Sequence, residues 1–276
     1  YTWAYIWRAH IEHARGNLAE AIAAMHKCVT IDPASESNSA YLGLLYLELE
    51  DSTRAQAWFE HSASLQGDSS SARLWQRFVS LAVEQSNPEV FIKLTQHMSR
   101  IETSTYSLVP HLHAAQVQMG VNADSTAMLA RHHPTLMRDI RPTVRIANAR
   151  TAVALIHLLR EQGEEKHAQA LLESSLNTAA LFPAQFAWMG LDAELLALAG
   201  RPEEARAALQ NSFDSGWRAK WWMLERSPAL APLRDEAGFK ELLQSVKARV
   251  AAQRELLRQM EQAGKPGAVP VYVHEQ

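Results

Sequence analysis

Apolar residues recur along the chain every three or four positions, in paired runs that are separated by short polar breaks. This spacing is typical of amphipathic α-helices. In the first pair, one run contains Trp3, Ile6, Trp7 and Ala9, and the other contains Leu18, Ala21, Ile22, Met25 and Val29. Gly16-Asn17 separates the runs, and Asp32-Pro33 ends the second, because proline disfavours helix in the residue before it. The first 33 residues are therefore predicted to form a helical hairpin.

The same pattern returns after about 34 residues. Leu42, Gly43 and Tyr46 lie on the next first helix, Asp51-Ser52 forms the turn, and Ala55 and Phe59 lie on the second helix. The small residues allow the two helices of a hairpin to approach closely, and the aromatic residues fill the space beside them. These types at these offsets resemble the tetratricopeptide repeat. The resemblance implies stacked hairpins that form an α-α superhelix, an all-α solenoid that presents its first helices along a concave groove.

Two further segments continue the pattern, at 149–177 with a turn at Gly163 and at 184–213 with a turn at Gly200 followed by Pro202. A long amphipathic helix is expected from about 236 to 262, as a C-terminal capping helix with an apolar stripe of Phe239, Leu242, Leu243, Val246 and Val250. We therefore predict two repeats in 1–69, degenerate hairpins in 70–146, two similar repeats in 147–214, an aromatic helix and the cap in 215–263, and a flexible tail in 264–276.

The closing segment 215–245 resembles the end of tetratricopeptide domains in bacterial multidomain signalling proteins, including transcription regulators, cyclases and kinases. That resemblance implies a sensory or docking part of a larger regulatory protein, in the bacterial cytoplasm or periplasm. The chain starts at Tyr1 within a predicted helix, so we expect it to be a piece of a longer protein.

The repeat pattern also predicts which residues line the groove, since the first helices face it. They are Trp3, Ile6, His10 and His13 in the first repeat, Leu44 and Leu47 in the second, and Arg150, Val153, His157 and Arg160 in the third. Chaperone-tail receptors of the family clamp a terminal carboxylate with Lys and Asn at such positions. This chain has neither there, so we expect an amphipathic helix or an extended segment instead. For Trp3 and Ile6, contact with a preceding repeat is an equally favoured alternative.

Twelve histidines invite a metal-binding hypothesis. His10 and His13 share one helix, while His111, His113, His132 and His133 lie in the irregular middle. No HExxH or CxxC motif accompanies them, so surface or partly buried histidines are favoured, and a metal- or ligand-binding sensor using residues 111–133 is the alternative. Cys28, the single cysteine, occupies a position where the repeat requires a small buried residue.

Other candidates favour structural interpretations. The sequence contains no nucleotide-binding, hydrolase or kinase motif, and the acidic pairs Glu164-Glu165 and Glu203-Glu204 begin predicted helices, where they complement the helix dipole. A basic patch for an acidic partner competes with a solvated connection; its residues are Arg131, Arg138, Arg141 and Arg145. Three tryptophans, Trp217, Trp221 and Trp222, are assigned to the core between the last repeat and the cap.

The charge and composition of the chain argue against two kinds of interaction. The net charge of −3 gives no global attraction to nucleic acid, and no apolar stretch is long enough to cross a bilayer. We predict a non-catalytic scaffold without a cofactor that binds a protein or peptide partner, neither binding nucleic acid nor inserting into a membrane. A self-associating architectural unit is a further alternative.

Overall fold

The computed structural model describes residues 2–65, 133–137, 141–216, 221, 224–225 and 227–264. Every regular element in these ranges is helical, which confirms the predicted all-α fold built from tandem helical hairpins. No helix in the same ranges combines the length and the apolar character needed to cross a bilayer. The hairpins predicted between 66 and 132 and the tail 265–276 lie outside the described residues. The chain divides into two compact units, which are considered separately below.

Two helical hairpins form most of the first unit. Its helices are α1 (Thr2–Ala14), α2 (Leu18–Ile31), α3 (Glu36–Glu48) and α4 (Ser52–Ser64). Helix α1 packs against α2, α3 packs against α4, and α2 also packs against α3, so the second hairpin stacks on the first. The start of α3 is capped by Ser35, whose hydroxyl accepts a hydrogen bond from the backbone N–H of Asn38 at 3.4 Å.

Each hairpin turns through one residue with left-handed backbone geometry. In the first hairpin this residue is Gly16, with φ of 78°, and in the second it is Glu50, with φ of 60°. A glycine adopts this geometry without strain, whereas a side chain costs about 1–2 kcal/mol. The second turn is therefore formed against a local penalty that stacking and helix packing must offset.

The small residues of the repeat pattern lie where the hairpin helices touch. Ala9, Ala21 and Ala55 are fully buried. A Cβ atom on Gly43 would lie 2.7 Å from Cε1 of Phe59 and 3.1 Å from the carbonyl oxygen of Ala55. Only a residue without a side chain fits between α3 and α4 at this crossing.

The second unit repeats the arrangement with one interruption. Its α-helices are α5 (Ala149–Glu161), α6 (Glu165–Leu181), α7 (Pro183–Met189), α8 (Leu191–Leu198) and α9 (Pro202–Asp214), with 3₁₀ helices at Ile146–Asn148 and Pro228–Leu233. Gly163 and Gly200 occupy the left-handed turn positions, at φ of 80° and 72°. Gly190 is also left-handed, at φ of 66°, and divides the region before Gly200 into the separate helices α7 and α8.

The last helix, α10 (Ala237–Gln262), matches the predicted long helix in extent. All five residues of its predicted apolar stripe are buried. Its residues up to Leu243 belong to the second unit, and those from Gln244 onward belong to the first. More than half of the length of this helix therefore belongs to the first unit.

Within the first unit, the C-terminal half of α10 lies along the hairpin turns. Oε1 of Gln253 accepts a hydrogen bond from the backbone N–H of Ala19 at 3.1 Å, which satisfies a donor in the first turn of α2. Arg254 donates to Glu50 at 2.7 Å, at the strained turn described above. Leu257 is fully buried, so the contact combines polar and apolar packing.

Candidate binding surface on the first helices

The first helices of the two stacked hairpins, α1 and α3, share an accessible face. We call it the α1–α3 face and define it by Trp3, Ile6, His10, Ala40 and Leu44. Trp3 is 72% exposed, His10 is also exposed, and the other three are partly exposed. The face is therefore apolar over most of its accessible part, with one imidazole.

Aromatic contacts join the two helices beneath this face. The ring of His10 on α1 stacks on the ring of Tyr41 on α3, with centroids 4.7 Å apart and an interplanar angle of 30°. Burial and the neighbouring His13 both lower the pKa of His10. The imidazole at the surface of the face is therefore neutral at neutral pH, and it can offer one donor and one acceptor.

A buried polar network lies deeper between α1 and α3. Nε2 of His13 is 2.5 Å from Oε2 of Glu48, and Nδ1 of His13 is 2.7 Å from the hydroxyl oxygen of Tyr41. Burial alone would lower the pKa of His13, but the charge of Glu48 and its hydrogen bond outweigh burial and raise it. When this imidazole is protonated, it donates both N–H groups, one to the carboxylate and one to the phenol oxygen.

Two predicted groove residues of this unit are therefore structural. His13 is 7% exposed and Leu47 is 5% exposed, so neither side chain can reach a partner in this arrangement. Both residues lie on the predicted helices, but their side chains are buried, and that of His13 lies between α1 and α3. The sequence did not reveal this, because Glu48, which holds His13 inside, lies outside the spaced residues of the repeat.

A second histidine cluster supports the core of the same unit. Nε2 of His26 lies 2.8 Å from the hydroxyl oxygen of Tyr46, and the His26 ring makes an edge contact with Trp58 at 5.4 Å. Burial, with a smaller contribution from Arg54, lowers the pKa of His26 to about 4. This imidazole is neutral and joins α2 to α3 and α4. The repeat pattern gives no sign of this role for His26.

The predicted groove residues of the second unit lie on α5. Arg150 pairs with the buried carboxylate of Glu194 on α8, and the other oxygen of that carboxylate accepts a hydrogen bond from Ser227 at 2.6 Å. Nη1 of Arg160 donates to the carbonyl oxygen of Leu198 at 2.7 Å, at the carboxyl end of α8. Both arginines thus anchor α5 to α8 with part of their side chains still exposed.

The other two predicted groove residues on α5 differ in how far their side chains are exposed. Val153 is 3% exposed and belongs to the core. His157 is partly exposed, and its Nε2 lies 3.2 Å from Oε1 of Glu161, one helical turn away. Of the four positions on α5, three therefore keep an accessible portion and Val153 does not.

The candidate metal ligands are described only in part. His111, His113 and His132 lie outside the described residues. Within the described ranges, no group of three or more His, Cys, Asp or Glu side chains is arranged to hold a metal ion. Cys28 is buried, which raises the pKa of its thiol to about 11, and its Sγ points to the carbonyl oxygen of Thr2 at 3.7 Å. This confirms the structural interpretation of the single cysteine.

The basic patch and the tryptophan group are likewise described in part. Arg141 and Arg145 are exposed, whereas Arg131 and Arg138 lie outside the described residues. Trp221 is 1% exposed and so belongs to the core. The other two tryptophans of the predicted group, at positions 217 and 222, are also outside the described part of the chain.

Both acidic pairs lie at the starts of second helices, as predicted. The four carboxylates are exposed, and Glu204 accepts hydrogen bonds from the guanidinium of Arg201 at 2.6 and 2.7 Å. Solvent-exposed carboxylates at helix starts complement the helix dipole. Their placement agrees with a structural role.

Comparison with known families assigns the first unit. The tetratricopeptide repeat family matches residues 4–35 and 42–69, which correspond to the α1–α2 and α3–α4 hairpins. The chain thus contains two tetratricopeptide repeats, as predicted from Gly43, Tyr46, Ala55 and Phe59. Repeats of this family generally mediate protein–protein interaction and are typically non-catalytic. None of the curated proteins compared with the chain shows significant similarity to it.

Proposed function

We propose that this chain is a non-catalytic scaffold that binds a peptide or protein segment along the α1–α3 face. The observation that supports this most directly is the accessible row of Trp3, Ile6, His10 and Leu44 on two adjacent first helices. The general role of tetratricopeptide repeats in protein–protein interaction supports the same class of function.

The chemistry of the face defines the kind of segment that it would accept. Trp3 offers a large aromatic surface with an indole N–H, and aromatic anchors carry much of the energy of protein interfaces. Ile6 and Leu44 add aliphatic contact area, and the neutral His10 adds one donor and one acceptor. A segment with apolar side chains on one side and an uncharged polar group fits this surface.

The residues beneath the α1–α3 face are held in place in the free protein. His13 is hydrogen-bonded to both Glu48 and Tyr41 between α1 and α3, and the His10–Tyr41 stack lies above these contacts. A surface that is ordered in the free protein loses little entropy on binding, so more of the contact energy appears as affinity.

The second unit has a candidate surface of its own on α5. Arg150, His157 and Arg160 keep accessible portions, and the charge of the two arginines favours acidic side chains in a partner. Since the arginines already pair with Glu194 and Glu165, their contribution would be to steer a partner more than to bind it tightly.

We also propose, on the resemblance of residues 215–245, that the parent protein is a bacterial regulator in which this part is the sensory or docking arm.

Selection from a peptide library tests the proposal. The chain is immobilised, random peptides of about 16 residues are enriched by display, and the dissociation constants of the best peptides are measured by fluorescence anisotropy. We expect Leu44→Asp and His10→Glu to weaken binding at least tenfold. Leu256→Asp is the matched control, because Leu256 is also an accessible apolar residue (38% exposed) but lies on α10.

The variants must retain their helical circular dichroism and melting temperature for this comparison to hold. Peptides that bind all four proteins equally would show that the α1–α3 face is not the binding surface. Failure to enrich any peptide that binds in saturable fashion would count against the scaffold proposal itself.

A further inference from the structure

An apolar stripe runs along the outer side of α1. Trp3, Trp7 and Ile11 are spaced four residues apart, so they lie on one side of the helix. They are 72%, 63% and 48% exposed, respectively. Only Trp3 is shared with the α1–α3 face. We call these three residues the outer stripe.

The size of the outer stripe limits what can cover it. A tryptophan presents about 150–250 Å², so two that are mostly exposed, with half of an isoleucine, offer about 300–400 Å² of apolar area. Exposed patches of this size on a monomer often mark binding sites. A stable dimer usually buries about 800 Å² on each partner, so the stripe alone is too small for that and matches contact with a single helix.

The second repeat shows how one position on this side of a first helix is covered in the same protein, while Ser37 and Tyr41, the equivalents of Trp3 and Trp7, stay exposed and partly exposed. When the two repeats are aligned at their left-handed turn residues, Gly16 and Glu50, Leu45 on α3 takes the position of Ile11 on α1. Leu45 is fully buried, whereas Ile11 is half exposed. The difference is that α2 packs against α3, while in the described residues no helix covers the outer stripe.

Helix α2 also shows which side chains such a covering helix needs. It packs against both α1 and α3, and its buried positions include the small residues Ala19, Ala23 and Ala24. Small residues allow a helix to approach closely. Arg15 follows Ile11 at the same four-residue spacing. Its guanidinium lies 3.6 Å from the carboxylate of Glu12, but 66% of its side chain is exposed, so a further acidic group at one end of the covering helix would be favoured.

We infer that the outer stripe docks an amphipathic α-helix of a partner protein that presents small apolar side chains, in the manner in which α2 covers α3. This surface is distinct from the α1–α3 face and goes beyond the function proposed above. The two surfaces meet at Trp3, so one partner could use both or two partners could share the first repeat.

The test uses a synthetic peptide with the sequence of residues 17–32, in which Cys28 is replaced by Ser. A covalent link between the side chains at positions 20 and 27 keeps the peptide helical, because an isolated helix of this length is only marginally stable. Binding of the labelled peptide to the whole chain is followed by fluorescence anisotropy. We expect saturable binding that Ile11→Glu and Trp7→Ala each weaken at least tenfold.

Ile31→Glu is the matched control, since Ile31 is 51% exposed and lies outside the stripe; it should bind the peptide as the unchanged chain does. Equal weakening by Ile31→Glu, or no saturable binding, would overturn the inference. Light scattering provides the second readout: a mass that doubles with concentration and reverts in Ile11→Glu would assign the stripe to a second copy and also overturn it. Peptides selected for the α1–α3 face should still bind Ile11→Glu, which separates this result from failure of the proposed function.

Discussion

Substitution of Gly43 by alanine tests the packing argument on which the repeat assignment depends. The new Cβ would lie 2.7 and 2.8 Å from two carbons of the Phe59 ring, whereas carbon atoms in contact are normally about 3.5–4.0 Å apart. The buried ring must therefore move by about 1 Å, and overpacking of this kind costs about 1–3 kcal/mol. Alanine is favoured over glycine in a helix by about 1 kcal/mol, which leaves a net loss of about 1 kcal/mol.

A second helical glycine provides the control for that number. A Cβ on Gly238, near the start of α10, would meet only the flexible side chain of Arg206, at 3.1 Å. Gly238→Ala should therefore gain stability through helix propensity, by up to about 1 kcal/mol, while Gly43→Ala loses it. The free energy of unfolding is measured by urea denaturation followed by circular dichroism.

Coupling to Phe59 identifies the cause of the loss. Phe59→Leu removes the ring, so it should cost less in the Gly43→Ala background than in the unchanged chain, with a coupling energy of about 1–2 kcal/mol. If both glycine substitutions stabilised the chain equally and no coupling with Phe59 appeared, the close approach of α3 and α4 would be refuted.

Three further predictions concern buried ionisable side chains. The pKa of His26 falls from 6.5 to about 4 on folding, so its contribution is fully present above pH 6.5 and lost as the pH falls towards 4. That loss amounts to about 3 kcal/mol, and His26→Gln should remove it from the pH dependence of urea unfolding; an unchanged slope would contradict the assignment. The pKa of His13 is raised instead, so its stabilisation is full below pH 6.5 and lost as the pH rises through its folded-state value. Glu48→Gln should therefore destabilise the chain more at pH 6 than at pH 9, and an equal loss at both pH values would exclude a charged pair. In the second unit, Glu194→Ala should cost about 3 kcal/mol, because a buried serine hydroxyl and an arginine lose their acceptor, and a loss below 1 kcal/mol in thermal unfolding would contradict that role.

The sequence was sufficient to predict the helical hairpins because their determinants are local. Gly16, Gly163 and Gly200 mark turns where a left-handed residue is required, and Pro202 marks a helix start. The turn at Glu50 was placed one residue late, at Asp51-Ser52, because no glycine signals the left-handed position. The division at Gly190 was also missed, since a glycine within an apolar helical pattern does not by itself indicate a break.

The candidate site was less predictable, because the burial of each side chain depends on the neighbouring helices. Periodicity correctly places His10 and His13 on the same helix, but it does not distinguish an accessible ring from a buried one. That difference depends on Glu48 and Tyr41, which come from the next hairpin. The sequence also contains no signal for the path of α10, whose second half packs on the first unit through contacts between residues far apart in the chain.

The same buried contacts determine where a partner could bind in the first repeat. His13 is held on both ring nitrogens, by Glu48 and by Tyr41, so turning it outward would break both contacts and remove the imidazole from a buried carboxylate, at a cost of several kcal/mol. A partner on the α1–α3 face must therefore contact its accessible residues, Trp3, Ile6 and Leu44, while the buried residues beneath them stay in place. A partner that required His13 at the surface would have to separate α1 from α3, and its affinity would fall with every kcal/mol that the His13–Glu48 pair contributes to folding. The affinity of a segment that binds the outer residues should be insensitive to Glu48→Gln as long as the chain remains folded, whereas one that penetrates between the helices should bind that variant more tightly.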